Sequence, residues 1–312
     1  MAQFAAAMPN PAAQGISAEE ILSRLLHRDG MILVINKPSG IPVHAGFGGG
    51  PNLEESFVHL TFGLPRKPSL AHRLDRDTSG CLVLGRHSKA LRDVGDLFAN
   101  GKVRKTYWAL VDGAPRETEG RIKIPIRKIG QGPGWKMMAD PRNGLPTVTD
   151  YKVRGSVETP EGKRTWLELH PHTGRTHQLR IHCAELGCPV VGDTVYGIKP
   201  PTTPLMLHAR AIAIPMNSKR DPIKVKAPPP EHMMADLVAC GFREEAEKIA
   251  PVVVAEVEEK KPIPEIPDFS ATDKARARAK HGAFKKKGRR PGGRKHEGTR
   301  RGGRKNSGGD PS

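Results

Sequence analysis

Nine consecutive residues, His72-Arg73-Leu74-Asp75-Arg76-Asp77-Thr78-Ser79-Gly80, hold two carboxylates, two guanidinium groups, an imidazole and two hydroxyls. A carboxylate flanked by Arg73 and Arg76 has its anion favoured, which is the state a nucleophile or general base requires. Asp75 is the candidate. Asp77, two positions on in the same tight loop, is better suited to capping backbone amides or orienting Arg76. The bland alternative is a polar loop whose Asp and Thr side chains bond their own backbone, closed by Gly80. Lys37 and Lys105 offer phosphate contacts or plain solvated charge. His170, His172, His177 and His182 crowd a second stretch, and His-x-His on a strand puts two rings on one face, a known metal-ligand geometry. His177 and His182, however, are five apart on a predicted helix, about 140° around it. No cysteine or carboxylate completes the set at ligand spacing.

These groups must be held by regular elements. Ser17 with Glu20 forms a capping-box pattern before Ile21, Leu22, Leu25 and Leu26 at helical spacing. Met31 to Ile35 reads as a strand, ended by the turn Asn36-Lys37-Pro38-Ser39-Gly40. Asn52 is placed to cap a short helix through Leu60, and Cys81 to Gly85 reads as a buried strand. Ser88 is expected to cap a helix to Asn100, with Leu91, Val94, Leu97 and Phe98 on one face and Gly101 ending it. Strands follow over Val103 to Val111, Arg121 to Ile126, Thr147 to Val153, Thr165 to Leu169 and Leu205 to Ile214. A helix over Thr176 to Leu186 separates the last two, and Glu231 to Cys240 is a final helix before Gly241. Strands with separated helices indicate an α+β fold rather than regular βαβ alternation.

The chain has 312 residues, enough for a sizeable core, and 51 basic against 33 acidic side chains give it a net charge of +18. The position of that charge matters more than its size. Residues 271–312 hold 15 basic and 3 acidic side chains, which is +12 of the total, and their only large apolar side chain is Phe284. Such a segment buries too little to offset chain entropy and is expected to be a disordered tether for a polyanion. The expected organisation is a frayed arm over 1–16, a catalytic domain over 17–245, a linker over 246–270 and the basic tail over 271–312. The longest aliphatic run, Met31 to Ile35, is far short of the roughly 20 residues a membrane helix needs. Cys81, Cys183, Cys188 and Cys240 form no C-x-x-C pair and read as reduced thiols of a cytoplasmic protein.

The loop around Asp75 resembles the signature loop of the RluA-type family of pseudouridine synthases. Three further segments are similar to that family in order and spacing: Asn36 to His44, Lys105-Thr106-Tyr107-Trp108-Ala109, and Thr173 to His182 followed by Gly187 and Gly192-Asp193. The resemblance covers roughly residues 20–240. It implies a mixed, mainly antiparallel sheet in two halves with a central cleft, and isomerisation of uridine in RNA to pseudouridine. It further implies that Asp75 is the catalytic carboxylate, that Tyr107 packs on the target base, and that Arg180 pairs with Asp75. Arg73 would fill the gap left by the extruded nucleotide, and His72, Leu179, Lys37 and Lys105 would line the substrate. Attack on the ribose, its deprotonation and addition to the uracil ring all stay open as roles for Asp75. Without the resemblance, Tyr107 reads as a strand aromatic filling the core beside Val103 and Ala109, and Arg180 as a solvated charge.

Because the product is an isomer, no metal or organic cofactor is expected, and the implied partner is ribosomal RNA, tRNA or both, bound by a monomer. About 30 residues precede the Asn36 turn, too few for the small S4-type domain that many relatives carry in front. The rivals are a catalytically inactive RNA-binding or ribosome-assembly protein and a metal-dependent hydrolase. A glycosidase using Asp75 and Asp77 would need an aromatic sugar platform, which 4% aromatic content disfavours.

Overall fold

A computed structural model of the chain describes residues 16–45, 49–198, 202–217 and 219–243. The expected linker and basic tail lie outside them, as does the expected arm apart from Ile16, which packs onto the core.

The strands are β1 (Leu25–Arg28), β2 (Ile32–Lys37), β3 (Ser69–Leu70), β4 (Ser79–Gly85), β5 (Arg104–Asp112) and β6 (Glu119–Lys123). They continue with β7 (Ile126–Ile129), β8 (Lys136–Ala139), β9 (Val148–Thr159), β10 (Gly162–Pro171), β11 (Leu207–Ile214) and β12 (Ile223–Lys226). The main sheet runs β1-β2-β4-β11-β5-β10-β9-β6, with β3 on β4 and β12 on β11, while β7 and β8 form a separate hairpin. Every pairing is antiparallel except β4 with β11, which touch in parallel only at Ser79–His208 and Gly80–Ala209. This is the expected α+β class, a mixed sheet in two halves that meet at β11.

Period-2 alternation sorts the side chains into cores on opposite faces. On β4, Leu82 and Leu84 point into one core with Leu33 and Ile35, while Cys81 and Val83 join Ile32 and Val34 in another. On β5, Ala109 and Val111 face one core of the second half, and Trp108 and Leu110 face the opposite one. The helices α1 (Ala18–Ser23), α2 (Ser88–Ala99), α3 (Gln178–Glu185) and α4 (Glu231–Ala239) cover these faces. Ile21 of α1 packs in the same core as Leu33, Val94 of α2 in that with Val83, Leu179 of α3 in that with Ala109, and Met233 of α4 in that with Trp108. Tyr107 touches both of the cores that share its face, so it stands where the halves meet.

Several local expectations need correction. Ser17 does cap α1, accepting from Glu20 N–H at 3.1 Å, but the helix stops at Ser23. Leu25 and Leu26 belong instead to β1, where pairing with β2 overrides their helical spacing. Leu53–Leu60 is a 3-10 helix that Asn52 does not cap through its side chain. The cap of α2 is His87, whose Nδ1 accepts from Ala90 N–H, one position before the expected Ser88. β1, β3, β7, β8 and β12 are short additions to the expected strand set. Among the described residues no helix is long and apolar enough to cross a membrane.

Candidate active site

The loop 72–78 connects β3 to β4, and its supports come from three directions. From the outside edge, Val83 N–H donates to His72 Nε2 at 3.0 Å, and the His72 ring stacks on Phe98 at 4.6 Å. An Nε2 that accepts leaves the ring neutral, and burial, reinforced by the charge of Lys105, pushes its pKa down to about 3. Leu74 anchors the loop in the core of the first half. From beneath, the Lys37 ammonium donates to the carbonyls of Pro38, Arg76 and Thr78 at 2.8, 2.7 and 3.0 Å, and Ser39 Oγ donates to Asp77 O at 2.7 Å.

Where the loop enters β4, Ser79 Oγ lies 2.9 Å from His208 Nδ1, and His208 Nε2 lies 3.1 Å from Ala227 O. The carbonyl can only accept, so Nε2 carries the proton and Nδ1 takes the one on Ser79. Gly80 follows at φ +108°, and a Cβ there would sit 2.3 Å from Ala209 O, so no other residue allows β4 and β11 to touch.

Two sequence expectations fail here. Lys37 is fully buried under the loop with its three N–H groups committed to carbonyls, and it is not placed to meet a phosphate. Burial pulls its pKa to about 7, against the opposing pull of Asp77 and Asp75. Arg73 and Arg76 do not enclose Asp75 either. Arg73 is exposed, and Arg76 donates to Asp77 at 3.1 and 3.3 Å, which agrees with Asp77 orienting Arg76.

The second half supplies Tyr107, Arg180 and their neighbours. Arg180 does not hydrogen-bond Asp75. Its Nε and Nη2 donate to Asp193 at 2.7 and 2.6 Å, and both side chains are buried. Asp193 Oδ1 also accepts from the backbone N–H groups of Val195 and Tyr196 at 2.8 and 2.9 Å. Against burial, the bonds from Asp193 hold Arg180 above its usual pKa, and those from Arg180 hold Asp193 below its own. Leu179 points into the core of the second half, with Leu169 and Leu207. Lys105, half-buried, donates to Thr173 O at 3.2 Å, and burial lowers its pKa to about 8.

Asp75 is half-buried, and its charge reaches Lys37 from the first half and Tyr107, His177, Arg180 and Tyr196 from the second. Burial and then Asp75 raise the Tyr107 phenol, which stays protonated. Asp77 shares its reach to Lys37 and His177, but only Asp75 also acts on Tyr107, Arg180 and Tyr196.

His177 entered the sequence reading only as a candidate metal ligand and as part of the Thr173 to His182 motif, and Tyr196 did not enter it. His177 is the residue before α3 and holds a left-handed φ of +53°, unusual for a non-glycine residue. Its Nδ1 is 2.9 Å from Tyr196 Oη, which also accepts from Met137 N–H at 3.1 Å. Tyr196 falls three residues after Asp193, so its nearness to the Gly192-Asp193 motif was the available signal. The other three histidines point elsewhere: His170 bonds Glu168, His172 bonds Asp150, and His182 bonds Thr147 and Thr149. Among the described residues no three His, Cys, Asp or Glu side chains are grouped to hold a metal ion.

Comparison with known proteins gives a consistent result. A family model described as RNA pseudouridylate synthase matches residues 31–185, which include the Asp75 loop and α3. A protein of Zymomonas mobilis named an uncharacterized RNA pseudouridine synthase is 40% identical over 215 residues, covering 68% of this chain and 95% of its own length. A Buchnera aphidicola protein named ribosomal large subunit pseudouridine synthase C is 36% identical over 177 residues, covering 57% of this chain and 55% of its own. Among solved structures, human RNA pseudouridylate synthase domain containing 4 superposes with a TM-score of 0.59 at 28% identity, over 72% of this chain and 95% of that one.

Proposed function

The chain belongs to the RluA-type family of RNA pseudouridine synthases and is an RNA pseudouridine synthase, and from that premise we propose that Asp75 is the carboxylate that drives its uridine isomerisation. The observation that carries this is the placement of half-buried Asp75 where its charge reaches Lys37 of the first half and Tyr107, Arg180 and Tyr196 of the second. In the reaction the N1–C1′ bond breaks, the base turns, a C5–C1′ bond forms, the C5 proton leaves to solvent and N1 takes a proton up, so atoms balance with no electron acceptor. The target nucleotide must leave its stack, because C1′ and the base faces are inaccessible within a helix.

Tyr107, flat and protonated where the halves meet, is suited to pack on the extruded uracil. Arg180 keeps a fixed cation near Asp75 while Asp193 orients it. Arg73, exposed at the start of the loop, is the residue free to enter the space the nucleotide vacates. Lys105 stands behind the site as a phosphate contact, and His72 and Leu179 shape it from within rather than by touching charge. The substrate is a structured RNA, ribosomal or transfer, and the Buchnera relative's printed name favours the ribosomal large subunit. The protein acts as a monomer and needs no resident cofactor. We place it in the cytoplasm, where four buried free thiols stay reduced, although some relatives are named as mitochondrial.

The test is Asp75→Asn in a tritium-release assay on RNA labelled at uridine C5. The amide keeps the shape but is neither a strong nucleophile nor a base, so release falls by at least about a thousandfold while the fold and RNA affinity persist. Release by a folded variant within tenfold of the parent removes Asp75 from the mechanism.

A further inference from the structure

The chain has three tryptophans, and only Trp135 is not fully buried: it packs against the small core of Ile126, Met137 and Ile181. Trp108 and Trp166 are buried, edge to face with each other and with Phe242. Trp135 instead is half-buried immediately before β8, just after the tip of the β7–β8 hairpin. Its indole stacks on the His177 ring, with centroids 5.2 Å apart and planes 24° from parallel, and the Lys128 ammonium lies 4.8 Å from the indole centroid. The stack is fixed from behind, since Tyr196 ties His177 to the β8 backbone at Met137 and stands edge to face against His177 at 5.6 Å. His177 also feels the charge of Asp75, so this aromatic column begins beside the catalytic loop and ends at solvent.

We propose that the half-buried indole of Trp135 is a stacking site for a second, unmodified nucleobase of the RNA, neighbouring the target uridine, with Lys128 passing from the indole to the adjoining phosphate. The proposal deepens the reading that this chain acts on RNA and adds a contact that reaction does not itself require. A rigid indole braced on a histidine loses little freedom when a base stacks on it, and any base has a π-face to offer. Lys128 is already held over the ring by cation–π attraction, and its four-carbon stem lets the ammonium move to a phosphate without leaving the site. Lys136, exposed beside Trp135, adds a second cation for the same strand.

The probe is an oligoadenylate decamer, which contains no uridine and cannot be isomerised, compared with an abasic decamer of equal charge. Both are titrated into the full-length protein by fluorescence anisotropy of a terminal dye while tryptophan emission is recorded. Any electrostatic contribution from the basic tail is matched between the two probes. Stacking on Trp135 quenches tryptophan emission with oligoadenylate and not with the abasic chain. Trp135→Ala weakens oligoadenylate binding about tenfold, and Trp135→Phe less, with abasic binding unchanged in both. Oligoadenylate binding without quenching in the parent protein overturns the site, as does an equal loss for the two decamers in Trp135→Ala. These results leave uridine isomerisation untouched, whereas quenching by a protein that releases no tritium from labelled RNA would sink the enzymatic reading and keep the stacking site.

Discussion

Lys37 and Arg180 are both buried, both within electrostatic reach of Asp75 and drawn from opposite halves of the sheet, yet they are satisfied by opposite means. Arg180 is locked in a two-bond pair with a full carboxylate, Asp193. Lys37 has only three carbonyl dipoles. A carboxylate partner cancels charge and fixes orientation, so Arg180 supplies geometry more than field. Carbonyls hold a cation in place without cancelling it, so Lys37 supplies field beneath the loop at the cost of an unfavourable burial. The same carboxylate thus meets a rigid, nearly neutral pair on one side and an under-compensated cation on the other.

Breaking the rigid side should have the largest effect. Arg180→Met leaves Asp193 buried without its cation, which costs about 3–5 kcal/mol of stability, and tritium release should fall by two orders of magnitude or more. Adding Asp193→Asn removes the stranded charge while an amide oxygen can still accept from Val195 and Tyr196 N–H. The double variant should recover most of the lost stability, read by denaturant unfolding, and little of the activity. Recovery of both together would reduce Arg180 to scaffolding.

Breaking the Lys37 side should be smaller and should carry a pH signature. Its folded pKa, about 7, lies below the ordinary 10.5, so between those values the unfolded chain binds more protons than the folded one. Stability from this group therefore rises with pH across that window, by up to about 1.4 kcal/mol per pH unit, and is flat below about pH 7. Lys37→Met removes that slope and leaves buried carbonyls without a donor, at about 1–3 kcal/mol each where water does not replace it. The deficit of the variant relative to the parent should widen from pH 7 to pH 10. Lys105 titrates in part of the same window in both proteins, so the difference between the two curves isolates Lys37. A deficit that stays constant with pH would show that Lys37 is not held near 7.

That comparison was only half legible in the sequence. The Asp75 loop, β4, β5, α2 and α4 carry strong local signals, in turn residues, apolar periodicity and a closing glycine, and their places hold. β1 did not, because Leu25 and Leu26 repeat at helical spacing and only β2 beside them decides otherwise. The β7–β8 hairpin did not, because glycines at 130, 132 and 134 with a proline between them signal a turn without indicating what the flanking strands pack against. The partners of the two cations are tertiary facts. Asp193 lies thirteen residues beyond Arg180 across a helix end, and the carbonyls of Arg76 and Thr78 carry no side-chain signature at all. Lysine is so seldom fully buried that the sequence points to a phosphate contact or a solvated charge at Lys37, not to a cation under the loop.

The smallest expected effect tests how local the field at Asp75 is. Asp77 sits two residues from Asp75, bonds exposed Arg76, and is the strongest charge acting against the burial of Lys37. Its ion pair joins neighbouring residues at a surface with Arg76 largely exposed, so the pair itself is worth no more than about 1 kcal/mol. Asp77→Asn keeps the side chain's shape and an acceptor for Arg76, and the loop is still held by Lys37, Ser39, His72 and Leu74 through bonds and packing that do not involve the Asp77 carboxylate. Tritium release should therefore stay within about threefold of the parent, against the collapse expected for Asp75→Asn. The second readout is subtler: with its main counter-charge gone, Lys37 should titrate lower still, shifting the onset of the pH-dependent stability window downward. If Asp77→Asn instead silences the enzyme while leaving stability and that window in place, the chemistry needs both carboxylates, and Asp75 does not act alone.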